Sequence, residues 1–178
     1  MKLSILICTI GGRERLLNRL LKMLERQTSK QVEILVEKDD KEMTIGTKRN
    51  RLLEQAKGEY VCYIDDDDMV SGDYIPRILK ALETNPDCCG IEGDLIRKDA
   101  TYRFIHSIQY NSWFRKGGIY YRCPNHLNPV KRELALLVGF HNKRSRDEDG
   151  VYSLQLRPLL KTEVFIKEPI YFYKKDYR

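Results

Sequence analysis

The sequence predicts an α/β fold: a mostly parallel sheet flanked by helices, with a small antiparallel lobe in its second half. Three observations carry that reading. Short apolar runs alternate with amphipathic helical stretches as far as residue 92. The helical stretches are long enough to cross back over a sheet, which is what parallel strands require. Beyond residue 93 the alternation gives way to short strand-like runs with turn residues between them. The 178 residues, 42% hydrophobic and 33% charged, suit one domain with a real core and are too few for two.

Residues 2–9 form the first apolar run, followed by Gly11-Gly12. In residues 13–27, Leu16, Leu17, Leu20, Leu21 and Leu24 share one helical stripe. Val32, Ile34, Leu35 and Val36 mark a second strand over 32–37. A second helix over 45–57 buries Leu52, Leu53 and Ala56, with Gly58 as its expected stop. Residues 59–64 are the third strand. A third helix over 72–84 places Tyr74, Ile75, Ile78, Leu79 and Leu82 in register and ends at Asn85-Pro86, and 88–92 is the fourth strand. Crossovers between such parallel strands are right-handed.

In the second half, 101–106 and 118–122 read as antiparallel strands. Asn128-Pro129 is expected to open a short helix carrying Val130, Leu134, Leu137 and Val138, with proline at the first helical position. A last helix covers 147–156, and 162–166 and 170–173 are terminal strands. Residues 1–96 then form one half and 97–178 the other.

Charge divides along the same line. Residues 1–96 carry 15 basic against 18 acidic side chains, a balance of −3, which leaves 17 against 8, or +9, for 97–178. An acidic half facing a basic half points to an anionic substrate across the junction. The five cysteines, Cys8, Cys62, Cys88, Cys89 and Cys123, are odd in number and lack C-x-x-C spacing. They read as reduced, buried thiols of a cytoplasmic protein. No apolar run approaches the ~20 residues of a membrane span, and the opening run reads as a strand and not a signal peptide.

The third strand ends in four carboxylates, Asp65, Asp66, Asp67 and Asp68. Ligands of open α/β sheets bind at the carboxyl ends of the strands. Thr9, Ile10 and Gly11 stand at the end of the first strand, and Glu37, Asp39 and Asp40 at the end of the second. Adjacent carboxylates raise one another's pKa unless a cation neutralises them, and a hard divalent ion does so with oxygen ligands and substrate phosphates. On extended backbone Asp65 and Asp67 point the same way. That D-x-D geometry suits Mn²⁺ or Mg²⁺ held together with a nucleotide. No G-x-G-x-x-G follows the first strand, which argues against a dinucleotide dehydrogenase.

Gly46-Thr47-Lys48-Arg49-Asn50, Ala56-Lys57-Gly58-Glu59-Tyr60-Val61 and Ile64-Asp65-Asp66-Asp67-Asp68 resemble, in order and spacing, the motif series of family-2 glycosyltransferases of the GT-A fold. Ser4-Ile5-Leu6-Ile7-Cys8-Thr9 resembles that family's first strand. The likeness covers about the first hundred residues. It implies transfer of a sugar from a nucleoside-diphosphate-sugar donor with a divalent metal. Thr9, Ile10, Gly11, Glu37, Asp39, Gly46, Lys48, Arg49, Asp65 and Asp66 are expected at the donor site, and His126, ahead of the acceptor-side helix, against the diphosphate or the acceptor. By that resemblance Thr9 lines the nucleoside pocket, Glu37 contacts base or ribose, and Arg49 with Lys48 faces the nucleotide. Asp65 and Asp67 hold the metal, with Asp67 the better ligand and Asp65 nearer the ribose. Glu148-Asp149, in the polar run 143–149, resembles the family's E-D pair, which makes Asp149 the catalytic base of an inverting displacement.

The sequence departs from the family where Cys8-Thr9-Ile10-Gly11 replaces P-T-Y-N and Glu37-Lys38 replaces a double aspartate, which leaves the base open. The acceptor is an unidentified hydroxyl on a glycan, a small molecule or a modified nucleic acid. Trp113, the only tryptophan, is expected in the core of the second lobe, the other reading being an exposed platform on which a sugar or a base stacks. Asn128 is expected as a helix cap, and His106 and His141 receive no role. Two other readings remain. One is a nucleotidyltransferase of the same fold, using Gly11-Gly12-Arg13. The other is a nucleic-acid module whose Tyr102, Tyr110, Trp113, Tyr120 and Tyr121 interleave with Arg103, Arg115 and Arg122.

Overall fold

Three parallel strands begin the sheet, and their alternation decides which helix covers which face. The computed structural model describes residues 1–142 and 147–174. Strand β1 (Leu3–Ile10) lies between β2 (Val32–Asp39) and β3 (Tyr60–Tyr63), parallel to both. Leu3, Ile5 and Ile7 face one side with Tyr60 and Cys62, and Leu6 faces the other with Val61 and Tyr63. The first side packs on α1 (Glu14–Glu25) through Leu20 and Leu24, and on α3 (Tyr74–Ala81) through Tyr74, Ile75 and Ile78. The second packs on α2 (Ile45–Gln55) through Leu52 and Leu53. Burial on both faces is why these strands read as nearly continuous apolar runs.

A two-residue strand, β4 (Met69–Val70), follows the carboxylates, and β5 (Cys88–Arg97) runs on through β6 (Ala100–His106) as an antiparallel hairpin. Beyond β7 (Phe114–Lys116) and β8 (Ile119–Arg122), the short β9 (Val130–Lys131) wedges between β3 and β5, antiparallel to both. Helices α4 (Arg132–Val138) and α5 (Glu148–Leu156) complete the second face through Ala135, Tyr152 and Leu156. Strand β10 (Glu163–Lys174) returns along β5, parallel to it, and pairs β4 with its end. The sheet order is β2-β1-β3-β9-β5-β6-β8-β7, with β10 against β5.

Four local expectations are corrected, the first that 101–106 and 118–122 are antiparallel: β6 and β8 run parallel, and the antiparallel pairs are β5–β6 and β7–β8. Val130 is in a strand, so Pro129 does not open a helix; α4 starts at Arg132, and Leu137 on it is 74% exposed. Gly58 has no left-handed backbone; a Cβ there would meet the Ser4 amide nitrogen at 2.6 Å, so close approach to β1 is what requires glycine. Asn85 supplies the left-handed stop, at φ 56°. The two terminal strands are one, kinked where Glu168 takes φ 76° before Pro169 and the register with β5 slips. All five cysteines are free thiols.

Candidate active site

Residues 65–68 form a turn, closed by the Asp68 amide donating to the Asp65 carbonyl at 3.0 Å. The side-to-side alternation of extended backbone therefore does not apply, and the four carboxylates go to separate places. Asp66, 2% exposed, accepts the Thr9 hydroxyl at 2.6 Å and pairs with Arg13 at 3.0 Å. Burial raises its pKa, opposed by Thr9 and Arg13. Asp67 pairs with the same guanidinium at 2.7 Å, while its carbonyl accepts Arg19 at 2.7 Å. Asp68 accepts the Tyr171 hydroxyl at 2.6 Å and the Lys174 amide at 3.0 Å; burial, with the charge of Asp65, pushes its pKa up to about 8. Asp65 alone of the four lines the cavity between the two halves of the chain, a space of about 390 Å³.

Lys48 and Asp39 are also committed to the scaffold. The Lys48 ammonium, 4% exposed, bonds the Thr9 carbonyl at 2.9 Å and Asp39 at 2.5 Å, tying the ends of β1 and β2 together. Asp39 further accepts the Met43 amide, and its pKa is lowered, chiefly by Lys48. At Ile10 and Gly11 the chain turns away, with the Gly11 amide on the Asp39 carbonyl and a would-be Cβ of Gly11 2.2 Å from Asp40 Oδ1. Glu37 pairs loosely with Arg51 at 3.4 Å. The Thr9 hydroxyl and the Lys48 ammonium thus face protein partners, whereas the sequence suggested that they face a nucleotide. Arg13, which the nucleotidyltransferase reading needs, is taken by Asp66 and Asp67.

Arg49 joins the two halves of the chain. Its guanidinium, 4% exposed, reaches Asp65 at 3.4 Å and Glu148 at 3.2 Å, and lies 5.2 Å from the Phe140 ring centroid. Burial works against its charge, but Asp65 and then Cys8, Glu148 and Asp149 outweigh it, so its pKa is raised. The E-D pair divides its work: Glu148 anchors on Arg49, and Asp149 at the start of α5 lines the cavity. Residues 143–146 of the polar run before this pair lie outside the described residues.

A clamp that sequence reasoning did not find holds residues 140–142 against α2. Asn50 exchanges two hydrogen bonds with the Phe140 backbone, both 2.7 Å, and the Thr44 hydroxyl donates to the Asn142 carbonyl at 3.1 Å. Gly46 lies so close beneath that a Cβ would sit 2.1 Å from the His141 carbonyl oxygen. The glycine and asparagine flanking Lys48-Arg49 were its only sequence signal.

His126 lies in the same cavity, 5% exposed, its Nε2 3.9 Å from Asp65. Burial, then Arg49, hold its pKa well below the usual value, so the ring is neutral, and neither nitrogen has a hydrogen-bond partner among the described residues. Asn128 caps no helix. Its amide donates to the Cys89 carbonyl and its oxygen accepts the Asn125 amide, so His106 Nδ1, 3.1 Å away, must carry the proton. Burial pushes the His106 pKa down to about 3. Between there and the ordinary value of about 6.5 the unfolded chain binds the extra proton, so stability falls as pH drops through that window. His106→Gln is expected to flatten this acid limb in urea unfolding between pH 7 and 4. Trp113 is not core: it is 36% exposed at the cavity mouth, with Nε1 on Ser153 at 3.1 Å.

The fit to a divalent ion rests on Asp65. It is a hard oxygen donor facing the cavity, and magnesium-like ions bind through one or two carboxylates plus substrate phosphates. Asp67 does not line the cavity while Arg13 holds it. Among the described residues no three His, Cys, Asp or Glu side chains form a metal cage.

The family model for "Glycosyl transferase family 2" matches residues 37–135, more than half of the chain. The chain belongs to that family. The match runs from the end of β2 through Arg49, Asp65 and His126 into α4. Among solved structures the fold is similar to TarS from S. aureus in complex with UDP-GlcNAc, at TM-score 0.76 and 15% identity, over 100% of this chain and 60% of that one. It is similar to the mannosyltransferase PcManGT from Pyrobaculum calidifontis in complex with GDP-Man and Mn²⁺, at TM-score 0.66 and 14% identity, over 99% and 58%. A third is GalNAc-T7 with UDP, GalNAc and Mn²⁺, at 0.69 and 12%, over 98% and 44%. Identities this low carry the fold, which is GT-A, and the chain spans about 60% or less of these structures. No curated protein matches the sequence. No helix among the described residues is long and apolar enough to cross a membrane.

Proposed function

We propose that the protein transfers a sugar from a nucleoside-diphosphate sugar to an acceptor hydroxyl, by direct displacement with inversion. One observation carries this: Arg49 draws Asp65, from the donor half, and Glu148-Asp149, from the acceptor half, to one cavity. The three structural relatives, crystallised with UDP or GDP compounds, support the donor class.

Asp149 takes the proton of the attacking hydroxyl as its oxygen bonds to the anomeric carbon and the bond to the diphosphate breaks. Arg49 stabilises the negative charge that gathers on the leaving diphosphate, from a site that excludes water. The neutral, unpartnered ring of His126 offers a hydrogen bond to the same group. Asp65 would hold Mn²⁺ or Mg²⁺ with the diphosphate oxygens, and that ion supplies Lewis-acid stabilisation of the leaving group when bound. Thr9, Lys48, Asp39 and Asp66 set the strand ends, so their part is positioning. The free thiols suit a reducing, cytoplasmic setting.

The test is a panel of UDP- and GDP-sugars with Mn²⁺, following free nucleoside diphosphate. One donor is expected to be consumed, slowly by hydrolysis without acceptor. An enzyme that consumes none but joins a nucleoside triphosphate to a sugar phosphate would refute the reading.

A further inference from the structure

The cavity is also lined by Arg97 and Arg122, which form no ion pair among the described residues. The Arg122 guanidinium lies 4.3 Å from the Trp113 ring, which Ser153 fixes on α5. Arg97 lines the rim and stacks on Tyr102 at 5.6 Å; Arg115 stacks between Tyr102 at 4.9 Å and Tyr120 at 5.1 Å. Among the described residues none of these three arginines forms an ion pair. Their neighbour Arg103, by contrast, is consumed by Glu92 and Asp94, both at 2.8 Å. Stacking on aromatic rings holds a guanidinium in place while leaving its edge of N–H donors open, which suits bidentate capture of an oxyanion.

Arg122 is the telling member. Burial lowers its pKa, and Asp149 is the chief group opposing that shift. Asp149 also acts on Arg49. The candidate base therefore stands within the field of two guanidiniums, Arg49 and Arg122, in one cavity.

We infer that Arg122, with Arg97 at the rim, binds an oxyanion of the acceptor, a phosphate or a carboxylate close to the hydroxyl that attacks. This deepens the glycosyl-transfer reading and rests on it for the word acceptor. Arg122 is half-buried, and an acceptor anion gives it a charge-assisted, bidentate hydrogen bond that a neutral sugar hydroxyl does not. Anchoring the anion at Arg122 sets the neighbouring hydroxyl beside Asp149.

Trp113 is the only tryptophan, so its fluorescence reports this site directly. Glycerol 3-phosphate, glycerate and glycerol serve as probes. Saturable change with glycerol 3-phosphate or glycerate, and none with glycerol, is expected; which anion binds tighter tells phosphate from carboxylate. Arg122→Gln is expected to weaken binding about tenfold or more, the worth of one charged hydrogen bond, with Arg122→Lys in between. The rise in melting temperature from nucleoside diphosphate and Mn²⁺ should be unchanged in both variants, which also shows that they fold. No response to either anion, an equal response to glycerol, or unaltered binding by Arg122→Gln would overturn the assignment. So would loss of the nucleotide shift in Arg122→Gln, because Arg122 would then belong to the donor diphosphate. If no nucleoside diphosphate binds the wild type while the anion response holds, the donor reading fails and the oxyanion site stands.

Discussion

Asp149→Asn is expected to lower sugar transfer by roughly 10²–10⁴-fold, the range for removing a general base, while leaving donor binding intact. The substitution keeps the size of the side chain and an oxygen for the Gly150 amide, 2.9 Å away in the native protein, so α5 should start as before. Steady-state transfer, measured beside the melting shift produced by nucleoside diphosphate and Mn²⁺, separates the two effects. Normal turnover by the variant would remove Asp149 from the chemistry. Loss of both readouts would make it part of the donor site.

Gly46→Ala is the second large effect, and it acts through backbone. The new methyl would lie 2.1 Å from the His141 carbonyl oxygen and 3.0 Å from its carbon, so a main-chain segment must move. Residues 140–142 are the strap that Asn50 and Thr44 hold, and in sequence they precede Glu148 and Asp149. Overpacking of this kind costs roughly 1–3 kcal/mol. A shift of about 1 Å at a catalytic group costs roughly a hundredfold in rate. The variant should therefore melt lower and also lose turnover. Gly72→Ala is the control: a Cβ there meets nothing within 4 Å and the backbone angle is ordinary, so it should be nearly silent in both assays. Equal behaviour of the two alanine variants would show that the strap does not position the site.

These effects also mark where the sequence was legible. Apolar periodicity announced the parallel core: Leu20 and Leu24 on α1, and Tyr74, Ile75 and Ile78 on α3, are buried as their spacing requires. Even the two-sided burial of β1 is written in Leu3, Ile5 and Leu6. The carboxylate turn was not legible in detail, because its shape depends on the bond from Asp68 to Asp65 and on Arg13, Arg19 and Tyr171 brought from elsewhere. Four adjacent aspartates looked like one device and are four. Asp65 serves the cavity, while the others hold β1, α1 and β10 at the sheet's working end. Val130 was misplaced for a related reason. Two residues have no readable period, and only the gap between β3 and β5 makes them a strand. Of the two readings of Trp113, core was preferred to an exposed platform, yet its indole nitrogen bonds Ser153 and its face meets Arg122.

Of the residues that the sequence singled out, Arg49, Asp65, His126 and Asp149 line one cavity. Thr9 and Lys48, which the motifs gave to a ligand, bond Asp66 and Asp39 in this structure. A motif records which residues a site requires, and it does not separate those that touch the ligand from those that hold the strand ends.

Binding of nucleoside diphosphate with Mn²⁺, in the wild type and in Asp65→Asn, tests the account at its root. At a hundredfold excess over Kd the right nucleotide should raise the melting temperature by roughly 5–10 °C in the wild type. The Mn²⁺-dependent part of that rise should vanish in Asp65→Asn. A wild type that no nucleoside diphosphate stabilises with Mn²⁺, or an Asp65→Asn variant that keeps the full metal-dependent rise, would contradict it.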